Sequence, residues 1–192
     1  VEDLMQEAEG KLFEISQRNV KKDVTQINPV IKDAMDLLQK AANQKEGLSG
    51  TRTGFDALDK ITSGWQNSDL IIIAARPAMG KTAFVLSMAK NMAVNFNTPV
   101  ALFSLEMSNV QLVNRLIVNV CEIPGEKIKS GRLESYEWEQ LDFKIKELYD
   151  APIFVDDTPS LSVFELRTKA RRLVREHGIK CIIIDYLQLM NA

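Results

Sequence analysis

The sequence predicts an α/β fold with a mostly parallel sheet flanked by helices, and three observations support that prediction. Segments typical of strands alternate with segments typical of helices over most of the chain. An apolar run at residues 70–74 leads into a loop that ends in Gly80-Lys81-Thr82. A second apolar run, at residues 181–184, ends in Asp185. Strands that end in this way carry loops and carboxylates to the edge of a parallel sheet where ligands bind.

Residues 1–45 predict a helical arm ahead of a core at residues 46–192. An amphipathic helix is expected at residues 3–17, because its apolar side chains share one helical face: Leu4, Ala8, Leu12 and Ile15. The polar segment 18–26 is expected to be a flexible connector. Asn28-Pro29 then supplies an N-cap and a proline at the first helical position, and predicts a second helix to about Gln44. The boundary between arm and core is placed near Lys45.

The first part of the core predicts a short helical turn, a strand and a helix. The turn is expected at residues 55–61, after a loop punctuated by glycines. Residues 70–74 have the length and β-branched content of a strand buried on both faces, and residues 82–95 have the apolar spacing of a helix. The loop between them matches the pattern G-x-x-x-x-G-K-[ST] from Ala75 to Thr82, except that alanine occupies its first position.

A loop of this form is typical of nucleotide-phosphate sites. Its backbone N–H groups and the following helix N-terminus attract the β-phosphate, Lys81 reaches the β and γ oxygens, and Thr82 places its hydroxyl on Mg²⁺. Glycine is expected at position 80 because no Cβ fits there. The alternative is a chance match in a loop before an ordinary helix. The residues predicted to bind the nucleotide are Ala75, Arg76, Pro77, Ala78, Met79, Gly80, Lys81, Thr82 and Ala83.

Strands and helices continue to alternate beyond this loop. Strands are predicted at residues 99–105, 153–155 and 181–184, and helices at residues 108–123, 136–149 and 163–177. Gly178 is well placed to cap the last helix before the last strand. The order of these elements favours a parallel sheet with helices on both faces.

Two acidic residues follow predicted strands at this edge of the sheet. Asp185 ends the last strand, where a carboxylate holds the water shell of Mg²⁺ in many nucleotide-binding proteins. Glu106 follows the strand at residues 99–105, where it could orient and deprotonate an attacking water. The alternative for Glu106 is a favourable charge at the start of a helix capped by Ser108. The residues alone leave both interpretations open.

The composition excludes some functions and limits others. The formal net charge of −2 limits exposed basic patches without excluding DNA binding. Cys121 and Cys181 each lie in an apolar segment and His177 is the single histidine, so core thiols are expected and a zinc-type cluster is not. No apolar run approaches the ~20 residues that span a bilayer. The acidic N-terminal segment is unlike a signal peptide, so a cytoplasmic protein without a membrane partner is expected.

Four segments together resemble the RecA-like motor domain of bacterial DnaB-type replicative DNA helicases. They are TGFDALDKITSGW (53–65), DLIIIAARPAMGKT (69–82), ALFSLEMS (101–108) and IIIDYLQLM (182–190). Alanine in the first loop position is similar to that family's own variant of the motif. The resemblance extends over the whole chain, from the arm to Ala192, and implies a RecA-like P-loop NTPase core.

The resemblance also implies an activity, a set of site residues and partners. The activity is ATP hydrolysis coupled to translocation on single-stranded DNA and duplex unwinding. ATP and Mg²⁺ are the implied cofactors: Lys81 and Thr82 bind phosphate and metal, Glu106 is the catalytic base, and Asp185 lies at the metal. The helix at residues 3–17 is similar to a linker helix that docks on the neighbouring subunit and builds a homohexamer. Primase and a helicase loader are further implied partners.

The chain also departs from the family. Similar proteins carry a helical domain before this stretch, and further strands, DNA-contacting loops and an arginine finger after it. One of those later strands lies between the phosphate-loop strand and the Asp185 strand, so a gap in the sheet is expected here. A core that is incomplete at its C-terminus is expected not to be competent alone. Two alternatives remain, a RecA- or RadA-type recombination ATPase and an ATP-binding or assembly module without turnover.

Overall fold

The computed structural model describes Lys11, residues 27–42 and residues 48–191. The helices of these residues are α1 (Ile27–Ala42), α2 (Asp56–Thr62), α3 (Lys81–Lys90), α4 (Asn109–Cys121), α5 (Gly125–Ser130), α6 (Ser135–Lys144), α7 (Lys146–Tyr149) and α8 (Val163–His177). The strands are β1 (Val100–Ser104), β2 (Ile153–Asp156) and β3 (Cys181–Asp185). A π-helical turn (Asn91–Asn95) extends α3, and a 3-10 turn (Leu187–Leu189) follows β3.

The three strands form a parallel sheet in the order β2-β1-β3, which confirms the predicted fold class. The central strand β1 is buried along its whole length. Its side chains alternate between two apolar clusters: Val100 and Leu102 pack with residues of α3 and α4, whereas Phe103 packs near Leu173 of α8. Helices therefore cover both faces of the sheet, as in other parallel α/β proteins. The register aligns Ser104 with Asp185, so the carboxyl ends of β1 and β3 meet at one edge.

Residues 70–74 do not form a strand, so the prediction of a strand buried on both faces is wrong there. Leu70 is 83% exposed and Ile72 is 73% exposed. A cavity of about 650 Å³ lies between this segment and β3 and is lined by residues of both. Among the described residues the segment thus has no neighbouring strand to pair with its backbone N–H and C=O groups, and the expected gap in the sheet is found at this position.

Most other elements follow their local sequence signals. The helix α8 begins and ends as predicted, with the Ser162 hydroxyl accepting the Glu165 N–H at its start and Gly178 in the left-handed conformation at its end. The bounds of β1, β2 and β3 agree with the predicted strands to within one residue at each end. The helix predicted at residues 136–149 is divided into α6 and α7, which meet at Ile145. The helix α5 has no counterpart in the prediction.

The arm is described in part. Lys11 is the one described residue of the helix predicted at residues 3–17, so that helix and the boundary near Lys45 lie outside the described residues. The helix α1 corresponds to the second predicted helix. Five of its large apolar side chains are at least 50% exposed and share one helical face: Ile27, Val30, Ile31, Met35 and Leu38. This face is called the α1 stripe below.

Asp59 fixes the turn that leads into α2. Its buried carboxylate accepts hydrogen bonds from the Thr53 N–H at 2.9 Å, the Thr53 hydroxyl at 2.7 Å and the Gly54 N–H at 3.2 Å. Gly54 has a φ of 81°, and a Cβ at this position would lie 2.3 Å from the Asn91 Cβ. The turn therefore packs closely against the chain that continues α3.

We expect Asp59→Ala to lower the free energy of unfolding by about 3 kcal/mol, because three donors lose their acceptor. Denaturant unfolding followed by circular dichroism measures this change. Lys60→Ala alters an exposed side chain on the same helix and serves as the control, with an expected change below about 0.5 kcal/mol. Equal losses in the two variants would show that helix content, and not the buried carboxylate, accounts for the effect.

Candidate nucleotide-binding site

The loop predicted to bind phosphate connects residues 69–75, which have no regular secondary structure, to α3. Within it, the Met79 N–H donates to the Arg76 carbonyl at 3.2 Å and closes a turn. The Phe84 N–H donates to the Gly80 carbonyl at 2.9 Å and starts the helix. The first N–H groups of a helix have no acceptor within the helix, and they carry its partial positive charge. The loop and the start of α3 therefore form a cradle suited to an anion.

Gly80 is required by its backbone conformation. It is the N-cap of α3 and has a φ of 87°, in the left-handed region that glycine adopts without steric cost. A Cβ built at this position meets no described atom within 4 Å. The sequence-based reason for glycine, that a Cβ would not fit, is therefore wrong with respect to the protein atoms. Ala78 has a φ of 62°, so two residues of this loop are left-handed.

Lys81, Thr82 and Asp185 come together across the gap between the loop and β3. The Lys81 ammonium lies 2.8 Å from one carboxylate oxygen of Asp185. The Thr82 hydroxyl donates to the other carboxylate oxygen at 2.8 Å. Asp185 is buried, so a charge-assisted contact of this kind is stronger here than at an exposed surface. The structure therefore places three of the predicted site residues in one cluster.

Tyr186 adds an aromatic ring that the sequence analysis did not identify as part of the site. The Lys81 ammonium lies 4.2 Å from the centroid of its ring. The chain at this point is also tied to the neighbouring strand, because the Leu105 N–H donates to the Asp185 carbonyl at 2.9 Å. The available signal was the position of Tyr186, directly after the aspartate that ends β3.

Glu106 lies at the same edge of the sheet but is not in contact with this cluster. It follows β1 by two residues, is exposed, and makes no hydrogen bond or ion pair with another described residue. The start of α4 has its own cap, because the side chains of Ser108 and Gln111 each bond to the backbone of the other residue. The helix start is thus capped without Glu106, which leaves its carboxylate available to a ligand.

Asp157, directly after β2, is a further polar residue at this edge that the sequence analysis missed. Its carboxylate accepts the Asn109 N–H at 2.8 Å and the Asn109 side-chain amide at 2.9 Å. Asn109 is the first residue of α4, so the carboxylate stabilises the positive end of that helix. This contact anchors the end of the loop that carries Glu106. Acidic residues directly after a strand were the available signal.

Thr82 and Asp185 fit a hard divalent cation such as Mg²⁺. Both offer oxygen atoms, and both lie beside the anion cradle. Mg²⁺ typically keeps several waters and uses one or two carboxylates together with substrate phosphates. Among the described residues no group of three or more His, Cys, Asp or Glu side chains could hold a metal ion.

The two cysteines do not contribute reactive groups. Burial raises the pKa of the Cys181 thiol to about 11 and also raises the pKa of the Cys121 thiol. Both thiols are therefore protonated at neutral pH. Cys121 is buried, which confirms the prediction of a core thiol, and Cys181 is partly buried beside the cavity.

The sequence matches a known protein family. The family model for the DnaB-like helicase C terminal domain matches residues 50–192. Replicative DNA helicase DnaB of Geobacillus stearothermophilus is 42% identical over 189 residues, which are 98% of this chain and 42% of the relative. Replicative DNA helicase DnaB of Rhodothermus marinus is 44% identical over 195 residues, covering 99% of this chain and 20% of the relative. The chain thus spans less than half of the length of these relatives.

Solved structures are also similar to this chain. One of them, an ATPase domain, is 34% identical with a TM-score of 0.79, over 88% of this chain and 60% of that chain. A DnaB-like replicative helicase, described together with its interactions with primase, is 35% identical with a TM-score of 0.77, over 97% of this chain and 44% of that chain. In the part of this chain that the structure describes, no helix combines the length and apolar character needed to cross a membrane.

Proposed function

This chain belongs to the DnaB-like helicase C-terminal domain family, and we propose that it is the ATP-hydrolysing motor of a replicative DNA helicase. The observation that carries the proposal is the convergence of Lys81, Thr82 and Asp185 at an anion cradle, with separations of 2.8 Å. The relatives named above are replicative DNA helicases. We therefore extend the proposal to translocation on single-stranded DNA and to duplex unwinding.

ATP is the proposed substrate, and its phosphates bind at residues 75–83. Lys81 then exchanges the Asp185 carboxylate for the β and γ oxygens of the nucleotide. Thr82 and Asp185 would hold Mg²⁺, which supplies neutralisation of the charge that develops on the phosphate oxygens. Glu106 accepts a proton from the attacking water as the water oxygen bonds to the γ-phosphorus. The bond from that phosphorus to the bridging oxygen breaks, and ADP and inorganic phosphate are released.

Phosphate release by the full-length protein, measured with and without single-stranded DNA, tests the proposed function. A motor that uses ATP to move on DNA is expected to release phosphate in Mg²⁺-ATP and to do so faster when single-stranded DNA is present. Strand displacement on a forked duplex should require the same nucleotide. Binding of ATP without phosphate release under both conditions would support the assembly-module alternative and contradict the motor.

The α1 stripe supports a proposal about assembly. Its apolar side chains are exposed in this chain, which favours burial against another molecule. We expect a second copy of the chain to cover the α1 stripe, in a ring of six subunits like the one implied for the family. The docking role predicted for residues 3–17 stays untested. Primase and a helicase loader are proposed as further partners, the former because one structural relative is described with primase.

We expect the double substitution Ile31→Asp with Met35→Asp to convert the assembly into monomers. Burying apolar surface contributes ~25 cal/mol/Å², so two large side chains contribute several kcal/mol to a contact. Sedimentation velocity at low micromolar concentration measures the change. The control is Lys32→Asp with Gln39→Asp, which introduces two aspartates into the same helix outside the α1 stripe and should keep the wild-type assembly. An unchanged assembly in the first variant would show that the α1 stripe is not the contact.

A further inference from the structure

The Lys81 ammonium contacts two groups, and nucleotide binding would affect these two contacts differently. One is the Asp185 carboxylate at 2.8 Å, and the other is the face of the Tyr186 ring at 4.2 Å from the centroid. The two partners are adjacent in sequence, so the end of β3 delivers a negative charge and an aromatic face to the same ammonium. The Lys81 side chain is 27% exposed, so it is partly withdrawn from water.

The Asp185 carboxylate cannot stay paired with Lys81 throughout the proposed reaction. A bound phosphate would draw the ammonium towards its own oxygens, and Asp185 would serve as a ligand of a bound Mg²⁺. The aromatic ring has no such conflict, because it is neutral and attracts a cation through its π face. A ring contact is therefore compatible with both the empty and the nucleotide-bound site, whereas the ion pair has to be exchanged.

We propose that Tyr186 is a positioning residue that holds the Lys81 ammonium at the phosphate cradle through its aromatic face. A lysine side chain has a long flexible stem, and ordering it costs conformational entropy. A ring that restricts the ammonium before nucleotide binds reduces the part of this cost that binding must overcome. The inference rests on the proposed function, because it assigns Tyr186 a role in the same nucleotide site.

Substitutions at position 186 distinguish the contribution of the aromatic face to nucleotide binding from the contributions of the hydroxyl and of side-chain volume. Tyr186→Phe keeps the ring and should bind a fluorescent ATP analogue with Mg²⁺ as the wild type does. Tyr186→Leu keeps an apolar side chain without a π face and should bind it about three- to tenfold more weakly, the range expected for a partly exposed cation–π contact. The matched control is Tyr149→Leu, which alters a tyrosine that is 76% exposed and outside the site.

A series of fluorinated phenylalanines at position 186 gives a readout that packing alone would not move. Each added fluorine withdraws electron density from the ring face, so the logarithm of the nucleotide dissociation constant should rise steadily along the series. Constant affinity along the series, or equal binding by the Phe and Leu variants, would overturn the inference. If those variants bind normally while Lys81→Ala loses binding, the role of Tyr186 is wrong and the nucleotide site stands. If Lys81→Ala also binds normally, the proposed function itself fails.

Discussion

Lys81→Ala is expected to lower ATP hydrolysis by at least about 100-fold, because its ammonium is the cation that lies beside Asp185 at the anion cradle and is proposed to contact the phosphates. Without it, the charge on the β and γ oxygens is poorly compensated at a site beside a buried carboxylate. Nucleotide affinity should fall as well, since the role proposed for Lys81 has it contact the phosphates both before and during the reaction. Phosphate release and binding of a fluorescent ATP analogue measure the two effects.

The control for Lys81→Ala is Lys90→Ala at the other end of the same helix. Lys90 makes no ion pair with a described residue, so its loss should leave hydrolysis within about twofold of the wild type. The Asp185 carboxylate keeps the Thr82 hydroxyl as a partner in the Lys81 variant, and circular dichroism should show an unchanged fold. Wild-type turnover in Lys81→Ala would show that phosphate is bound elsewhere.

The elements that were predicted well depend on residues close in sequence. The helix α8 has a serine at its start, a glycine directly after its end and apolar side chains at helical spacing between them. Each of these signals acts within one or two turns, so a single sequence contains them. The signals for the loop at residues 75–82 are also local, because glycine at position 80 lies directly before the start of α3.

The elements that were predicted wrongly depend on partners far away in sequence. Residues 70–74 have the composition of a buried strand, but a strand forms only where another strand takes its hydrogen bonds, and β3 lies across the cavity from them. The helix α5 was missed for a different reason, because its six residues are too few for a periodic pattern. Its Lys127 pairs with Glu137 of the next helix, α6, at 2.6 Å. Such contacts are not visible in the sequence.

The same distinction between local signals and long-range contacts applies to the candidate site. The motifs identified Lys81, Thr82 and Asp185 individually, and a parallel sheet predicts that a loop and a strand end meet at one edge. The contact between Lys81 and the Tyr186 ring depends on the direction in which the chain leaves β3, which no local pattern records. Sequence analysis therefore identified Lys81, Thr82 and Asp185, which lie together in the structure, and missed the aromatic ring that contacts Lys81.

Glu106→Gln is expected to slow ATP hydrolysis by roughly 100-fold or more while nucleotide binding stays close to that of the wild type. Glutamine has nearly the same shape as glutamate but cannot accept the proton of the attacking water. Glu106 makes no hydrogen bond or ion pair with another described residue, so the substitution breaks no contact that the structure shows. A fall in rate without a fall in affinity or in unfolding free energy would therefore report on the chemical step.

Glu139→Gln, at an exposed position of α6, is the matched control for Glu106→Gln and should hydrolyse ATP at the wild-type rate. The two interpretations of Glu106 then predict different patterns. If Glu106 is the base for the attacking water, the substitution lowers turnover and leaves binding unchanged. If Glu106 supports the start of α4, the substitution lowers stability, binding and turnover together. The Ser108–Gln111 capping box already satisfies that helix start, which favours the first pattern. Wild-type hydrolysis in Glu106→Gln would assign the proton to another acceptor.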